Sequence, residues 1–365
     1  MESPNISAAV IRIDERENLF PHFLIFTILT YTITACIIFV NGSILLAFVI
    51  QKIRRPSLAR LSPAGVLVLN LLFADAFVGA VTIIMTATET RNMAATRWRC
   101  AARLAVSYLA LIGSHVALIN VVIDRYVAIM HTLHYRDWVT MQRSLTMILF
   151  GWLVPIVGSV VALLTDDWQP GLITCEQIDS FRQFLSYIWV PSHVLALLCV
   201  IVIQGRVYLQ LRRYEVTSKA QTASSVLKHY SKKSVQVLCR VTTTFVVCWG
   251  PFDVVLLIII FWPMPVLKVI YDTSAIIAHF SFLVNPCIYS MKTENIRKPV
   301  SALCSDIKGV FCKKAETETK QSGGADAGAA PPSGLHKVAA TTLSGTSPTQ
   351  STSLDGHGDV RFSPP

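Results

Sequence analysis

Charge is scarce in this chain. Aspartate, glutamate, lysine and arginine make up 15% of its 365 residues, against about 25% in an ordinary globular protein. Acids are the rarer sign, 22 against 32 bases, which leaves a net charge of +10. Hydrophobic residues account for 53%, and mean hydropathy is +0.52 despite a polar C-terminal stretch. A chain so short of charge has more apolar surface than one soluble core can hide, so lipid is the solvent it requires. A cytosolic enzyme, a disordered scaffold and a small secreted disulfide protein are thereby excluded.

Other absences narrow the class. Strict period-two alternation is missing, which disfavours a membrane β-barrel. No internal repeat or inverted half-to-half symmetry marks a transporter. Met1–Pro21 has no basic segment leading into a short apolar core, so no cleavable signal peptide is expected and the first span is expected to insert itself.

What is present is a set of long apolar runs. A bilayer core about 30 Å thick needs roughly 20 apolar residues per helix. Seven stretches qualify: Phe23–Ile50, Ser62–Ala87, Ala101–Met130, Ser144–Leu164, Phe184–Leu209, Ser234–Trp262 and Val266–Met291. The third is interrupted by Arg103, Ser107, Ser114, His115 and Asn120, which suits a helix enclosed by the others. The expected fold is an all-α membrane protein, a seven-transmembrane helix bundle with a short amphipathic helix after the seventh span. Its expected organisation is an extracellular segment 1–22, the seven-span domain 23–304 and a disordered cytoplasmic tail 305–365.

Orientation follows from the bases in the short loops. Lys52, Arg54, Arg55 and Arg60 follow span one, and Arg212, Arg213, Lys219, Lys228, Lys232 and Lys233 follow span five. The connection after span four carries Asp166, Asp167, Glu176 and Asp179. Arg91, Arg97 and Arg99 run against the trend, but the majority place the N-terminus outside and the C-terminus inside. The excess positive charge then faces anionic lipid, and nucleic acid is not needed to explain it. Asn5 heads an exterior glycosylation sequence, Asn5-Ile6-Ser7. Only Cys100 and Cys175 are expected outside, which makes them the expected disulfide. Cys304 follows a basic amphipathic stretch and is either palmitoylated or a plain juxtamembrane thiol. The Ser/Thr clusters of the tail, Thr341–Ser344 and Thr346–Ser353, are phosphate acceptors or passive spacer.

Polar residues inside a span are costly and each needs a reason. Asp75 is the only acid in the middle of span two. It must take a proton, pair with a base, or hold a cation with nearby oxygens. Ser114, Ser281 and Asn285 are the oxygens on hand for Na⁺, and a protonated Asp75 bonded to Asn285 is the alternative. Asp124-Arg125-Tyr126 ends span three, Pro251 and Pro286 interrupt spans six and seven, and Trp249 and Tyr289 flank those prolines. Bulky aromatics beside helix kinks are the parts of a conformational switch, or plain packing.

Read together, these residues resemble the rhodopsin-like (class A) family of G-protein-coupled receptors over Phe23–Cys304. Asn41, Leu71-Leu72-Phe73-Ala74-Asp75, Cys100, Asp124-Arg125-Tyr126, Trp152, Pro191, Phe245 through Phe252 and Asn285-Pro286-Cys287-Ile288-Tyr289 carry the resemblance, in order and spacing. It implies an allosteric sodium site at Asp75, Ser114 and Asn285 and a switch at Trp249 with Phe245. It implies that Arg125 and Leu133 meet Gα and that Cys100 bridges to Cys175. Heterotrimeric G protein is the implied partner, with arrestin and receptor kinases at the tail. Covalent catalysis is not expected, nor any cofactor beyond a possible sodium ion. Departures include Cys199 for a span-five tyrosine, Thr132 for a proline, and Ser231 for an acid that restrains the span-three arginine. Loss of that restraint is expected to raise basal activity. His115, under Phe245 and Pro191, is read as a hydrogen-bonded packing histidine ahead of a proton sensor.

The ligand is less legible. Ser107 stands where amine receptors carry aspartate, and His279 where visual pigments carry the retinal lysine, so both ligand classes are disfavoured. Pocket candidates are Arg103, Ser107, Tyr108, Leu111, Trp249, Phe252, Asp253 and His279. Arg103 resembles a phosphate-binding arginine of lysophospholipid receptors, which leans toward a small anionic or lipid ligand. Snorkelling to the interface or pairing with a loop acid is the stronger reading for it. Asp253 is placed to receive a ligand cation or to pair with His279. The rival classes are a transporter or channel and an intramembrane hydrolase. The hydrolase has only Gly113-Ser114-His115 in its favour, and adjacent helical residues diverge by about 100°.

Overall fold

The computed structural model describes residues 6–57, 61–90, 96–131, 133–164, 182–218, 225–262, 265–292, 297–306 and 308–309. Side chains are described over 23–57, 61–88, 96–131, 133–164, 183–210, 239–262, 267–288, 297–306 and 308–309. Asn5, Cys175, the acidic loop and the tail clusters lie outside these ranges. Among the described residues, seven helices are long and apolar enough to cross a membrane, running over Phe23–Arg54, Pro63–Thr88, Arg97–Met130, Met141–Leu164, Leu185–Gln210, Cys239–Phe261 and Leu267–Ile288. A short helix over 297–306 follows the seventh. The fold is an all-α seven-helix membrane bundle.

Local chemistry starts the helices. Pro63 opens span two at the first helical position, where its missing N–H costs nothing, and Ser62 Oγ accepts from Gly65 N at 3.0 Å. Thr96 caps span three by accepting from Arg99 N, and Thr140 Oγ1 does the same for Arg143 N before span four. Between spans three and four a single turn, Tyr135–Trp138, is helical.

Two spans depart from plain helices. Span five begins at Arg182, passes through a π-turn over Leu185–Trp189, and continues as α-helix from Val190 to Ser218. Pro191 has no N–H to donate to the preceding turn, and the wider turn just before it absorbs the mismatch. Span seven breaks at Phe280, between Pro265–His279 and Ser281–Lys292, rather than only kinking at Pro286. Pro286 leaves the carbonyl of Phe282 without its helical donor. Asn41 Nδ2 of span one takes that carbonyl at 3.1 Å, so the defect in one helix becomes the contact between two.

Span three is the axis of the bundle: spans two, four, five and six all pack on it. Its polar interruptions, Ser107, Ser114, His115 and Asn120, are buried. Span four is its most intimate neighbour. Trp152 lies across Gly113 and donates from Nε1 to Asn70 Oδ1 at 3.0 Å. Gly158 lies so close to Tyr108 that a Cβ would come within 2.2 Å of the ring. The opposite face of span four, with Leu149, Phe150, Val157 and Leu164, is exposed and suits lipid. Thr242 on span six donates to Gln204 on span five. Gln51 and Arg55 at the end of span one reach Asp306 of the short helix, each at 3.2 Å.

Gly158→Ala is expected to destabilise the bundle by about 1–3 kcal/mol, because Tyr108 is walled in and cannot retreat. Thermal unfolding of the purified protein checks this, with Gly205→Ala, whose Cβ meets nothing within 4 Å, as the neutral comparison. Equal midpoints for the two variants would show that the contact is slack.

Candidate functional site

The site is a column of polar groups along the inner faces of spans two, three, six and seven. At mid-depth the Asp75 carboxyl is fully buried. It accepts from Ser114 Oγ at 2.5 Å and from Asn285 Nδ2 at 3.3 Å. Ser281 is committed elsewhere: its hydroxyl donates to Ala278 O at 2.8 Å and accepts from Trp249 Nε1 at 3.0 Å. Trp249 is buried against Phe252, Phe282 and His115, with centroids at 5.6, 5.8 and 4.3 Å. Phe245 lies one turn below at 6.3 Å, and Pro251 two residues on. The Tyr289 side chain lies outside the described residues.

Beside Trp249 lies a cavity of about 160 Å³. Ser107, Leu111, Trp249, Phe252 and His279 line it. So do Thr82, Met85, Trp189 and Tyr271, which the sequence argument does not reach. His279 is held by Ala275 O at 2.7 Å and approaches Thr82 Oγ1 at 3.5 Å. Among the described residues, no Asp, Glu, Lys or Arg is in the lining. Three other pocket candidates are turned away from it. Tyr108 is buried edge-on against Phe184 and Trp189. The Arg103 guanidinium donates to Met85 O at 3.1 Å and Thr88 Oγ1 at 2.8 Å, which ties it to the end of span two. Asp253 faces His193 of span five at 3.2 Å and not His279. His193 meets the criterion that singles out Asp75, a titratable group inside a span, whereas nothing in the sequence marks Thr82 or Met85.

His115 packs as an aromatic ring against Phe245, Trp249 and His193. The expected hydrogen bond is absent: neither ring nitrogen has a partner among the described residues. Packing without polar satisfaction replaces the reading made from sequence.

At the far end of span three, Asp124 is buried and Arg125 folds back on it, Nε and Nη2 donating to Oδ2 at 2.8 and 2.5 Å. Tyr135, from the helical turn that follows, donates to the other carboxylate oxygen at 2.9 Å. Burial first, then the adjacent Asp124 carboxylate, holds the Tyr135 phenol well above its usual pKa. It therefore stays a donor throughout the physiological range. Leu133 stands almost entirely exposed, at 92%, beside this end. Cys304 is exposed with a free thiol. Cys100 is disulfide-bonded, with its partner outside the described residues.

Comparison with known proteins agrees with this geometry. Residues 41–289 match the 7 transmembrane receptor (rhodopsin family) description. The chain belongs to that family and is a multi-pass membrane receptor. It is 25% identical to human lysophosphatidic acid receptor 3 over 75% of this chain and 77% of that protein. Rat somatostatin receptor type 4 is 23% identical over 72% and 68%, and human trace amine-associated receptor 5 is 23% identical over 74% and 82%. The three names refer to three different ligands.

Tyr135→Phe removes a donor to a buried carboxylate, a loss of about 1.5 kcal/mol. The variant is expected to melt earlier in thermal unfolding of the purified protein, and a wild-type midpoint would show the bond to be idle.

Proposed function

We propose that this chain is a plasma-membrane G-protein-coupled receptor with its N-terminus outside and its C-terminus inside. The observation that carries the reading is Arg125, held back on Asp124 at the end of span three in a member of the rhodopsin family. An extracellular ligand beside Trp249 favours the state in which span six swings about Pro251. Arg125 then leaves Asp124 for the Gα subunit, and nucleotide exchange follows. The receptor makes and breaks no covalent bond. A transporter or channel is not favoured: residues 41–289 match the receptor family, and Arg125 is paired with its neighbour Asp124 rather than open to a pathway.

The cavity supports a small, largely apolar ligand. Its polar group meets Thr82, Ser107 and His279, and its body lies against Trp249, Phe252 and Tyr271. This keeps the lipid half of the sequence-based reading. The anionic half rests on Arg103, whose guanidinium is committed to Met85 and Thr88. Asp75, Ser114 and Asn285 are the residues that hold an allosteric sodium ion in this reading, with Ser281 joining once Trp249 releases it. Arrestin and receptor kinases act on the tail, and Cys304 is the lipid attachment point.

Arg125→Ala, expressed at the wild-type surface level, is expected to lose most G-protein activation in a second-messenger assay. Retained signalling would overturn the mechanism. Asp75→Asn is expected to abolish the effect of Na⁺ on thermal stability, and a variant as Na⁺-sensitive as wild type would remove the sodium site.

A further inference from the structure

Behind the cavity wall lies a second polar cluster that the receptor mechanism above does not use. His115 of span three, His193 of span five and Asp253 of span six are 2%, 2% and 6% exposed. The two imidazoles meet edge to face, centroids 4.7 Å apart. His193 Nδ1 is 3.2 Å from Asp253 Oδ1, close enough for an ion pair yet not aligned as a hydrogen bond. Neither histidine has a hydrogen-bonded ring nitrogen among the described residues, and Asp253 Oδ1 and Trp189 Nε1 also lack partners. Trp189 stacks on His193 at 5.7 Å, and Trp249 contacts both imidazoles.

Several buried polar groups elsewhere in the bundle are matched, Asp75 with Ser114 and Asn285, Trp249 with Ser281 and Trp152 with Asn70, and the unmatched ones, on Asn41, Gln51 and Ser144, are scattered singly. Six unmatched polar atoms in one place mark this cluster as the one whose protonation state has most to change. A transition metal needs three or more ligands converging on one point, and no such group of His, Cys, Asp or Glu is present among the described residues. A carboxylate this buried cannot stand alone, and among the described residues His193 is the titratable group found against it. Trp189, Phe245, Trp249 and Phe252 are ring neighbours of the two imidazoles. From span seven, Phe282 and Ser281 face Trp249, and His279 faces Thr82.

We propose that His193 and Asp253 form a proton-binding site that clamps span six to span five. With one proton on the pair, His193 and Asp253 attract each other and the closed arrangement is kept. Without it, a buried carboxylate faces a neutral imidazole, and the arrangement that separates them is favoured. Asp253 lies two residues beyond Pro251, so a swing of span six about that proline changes its distance to His193. Proton release and span-six movement are therefore linked: acid closes the bundle and alkali opens it. The proton leaves through the adjoining cavity. The inference rests on the receptor reading only for the choice of span six as the moving element.

The test reads that movement directly and needs no G protein, so its outcome is separate from that of Arg125→Ala. Spin labels are placed at Gln142→Cys on span four and Arg240→Cys on span six, both exposed, after the free cysteines are replaced by serine. Distances are measured on the full chain in lipid nanodiscs between about pH 5.5 and about pH 8, a range that brackets histidine titration. The long-distance population is expected to grow with pH, by up to about tenfold per pH unit for one linked proton. Asp253→Asn and His193→Gln should each abolish the dependence. A wild-type distribution that ignores pH overturns the proposal. So does a response that survives in both variants, which would assign the proton to another group, Asp75 among them.

Discussion

A polar group inside a bilayer has no water to turn to, and this constraint organises the bundle. Each helix hydrogen-bonds its own backbone, so the defects are where helices must help one another. Pro286 frees the carbonyl of Phe282, and Asn41 closes it from span one. Asp75 draws Ser114 and Asn285 to it from spans three and seven. Trp249 uses its indole N–H on Ser281. Helices surrounded by equally apolar lipid have little hydrophobic reason to associate. These few bonds, with the close approach of Gly158 to Tyr108, specify which helix faces which.

The same constraint makes a switch possible. Bonds that join two elements through one side chain hold one arrangement and release another when a span turns. Ser281 serves Trp249, and Asp124 serves both Arg125 and Tyr135. The two ends of span three thus carry different chemistry on one rigid rod: an uncharged cavity near Ser107 and a charged cluster at Arg125. Asp253 and His193 join spans five and six between those ends, close to the proline about which span six can bend.

Hydropathy made the seven spans legible because the length of a crossing helix is set by the bilayer and not by its neighbours. The burial of Ser114, His115 and Asn120 followed from their cost in lipid. The π-turn before Pro191 and the break at Phe280 were not legible, since how a helix absorbs a proline depends on what packs beside it. Partner choice was the weakest inference. Asp253 suits a ligand cation or His279 by sequence, yet span five supplies His193. Arg103 suits a ligand, the interface or an acid of the loop after span four, and among the described residues Thr88 and the carbonyl of Met85 accept from its guanidinium. Tyr135 carried no mark at all, because its role depends on a turn that folds it back onto Asp124.

By itself, then, the sequence determined that the chain lives in a membrane, how often it crosses, which residues could not face lipid, and which family its motifs resemble. Tertiary structure alone decided the pairings: His193 with Asp253, Ser281 with Trp249, Asn41 with the carbonyl that Pro286 releases. The reason is geometric. Transfer free energy depends on each residue separately and can be summed along a chain, but a hydrogen bond depends on the depth and rotation of two helices at once.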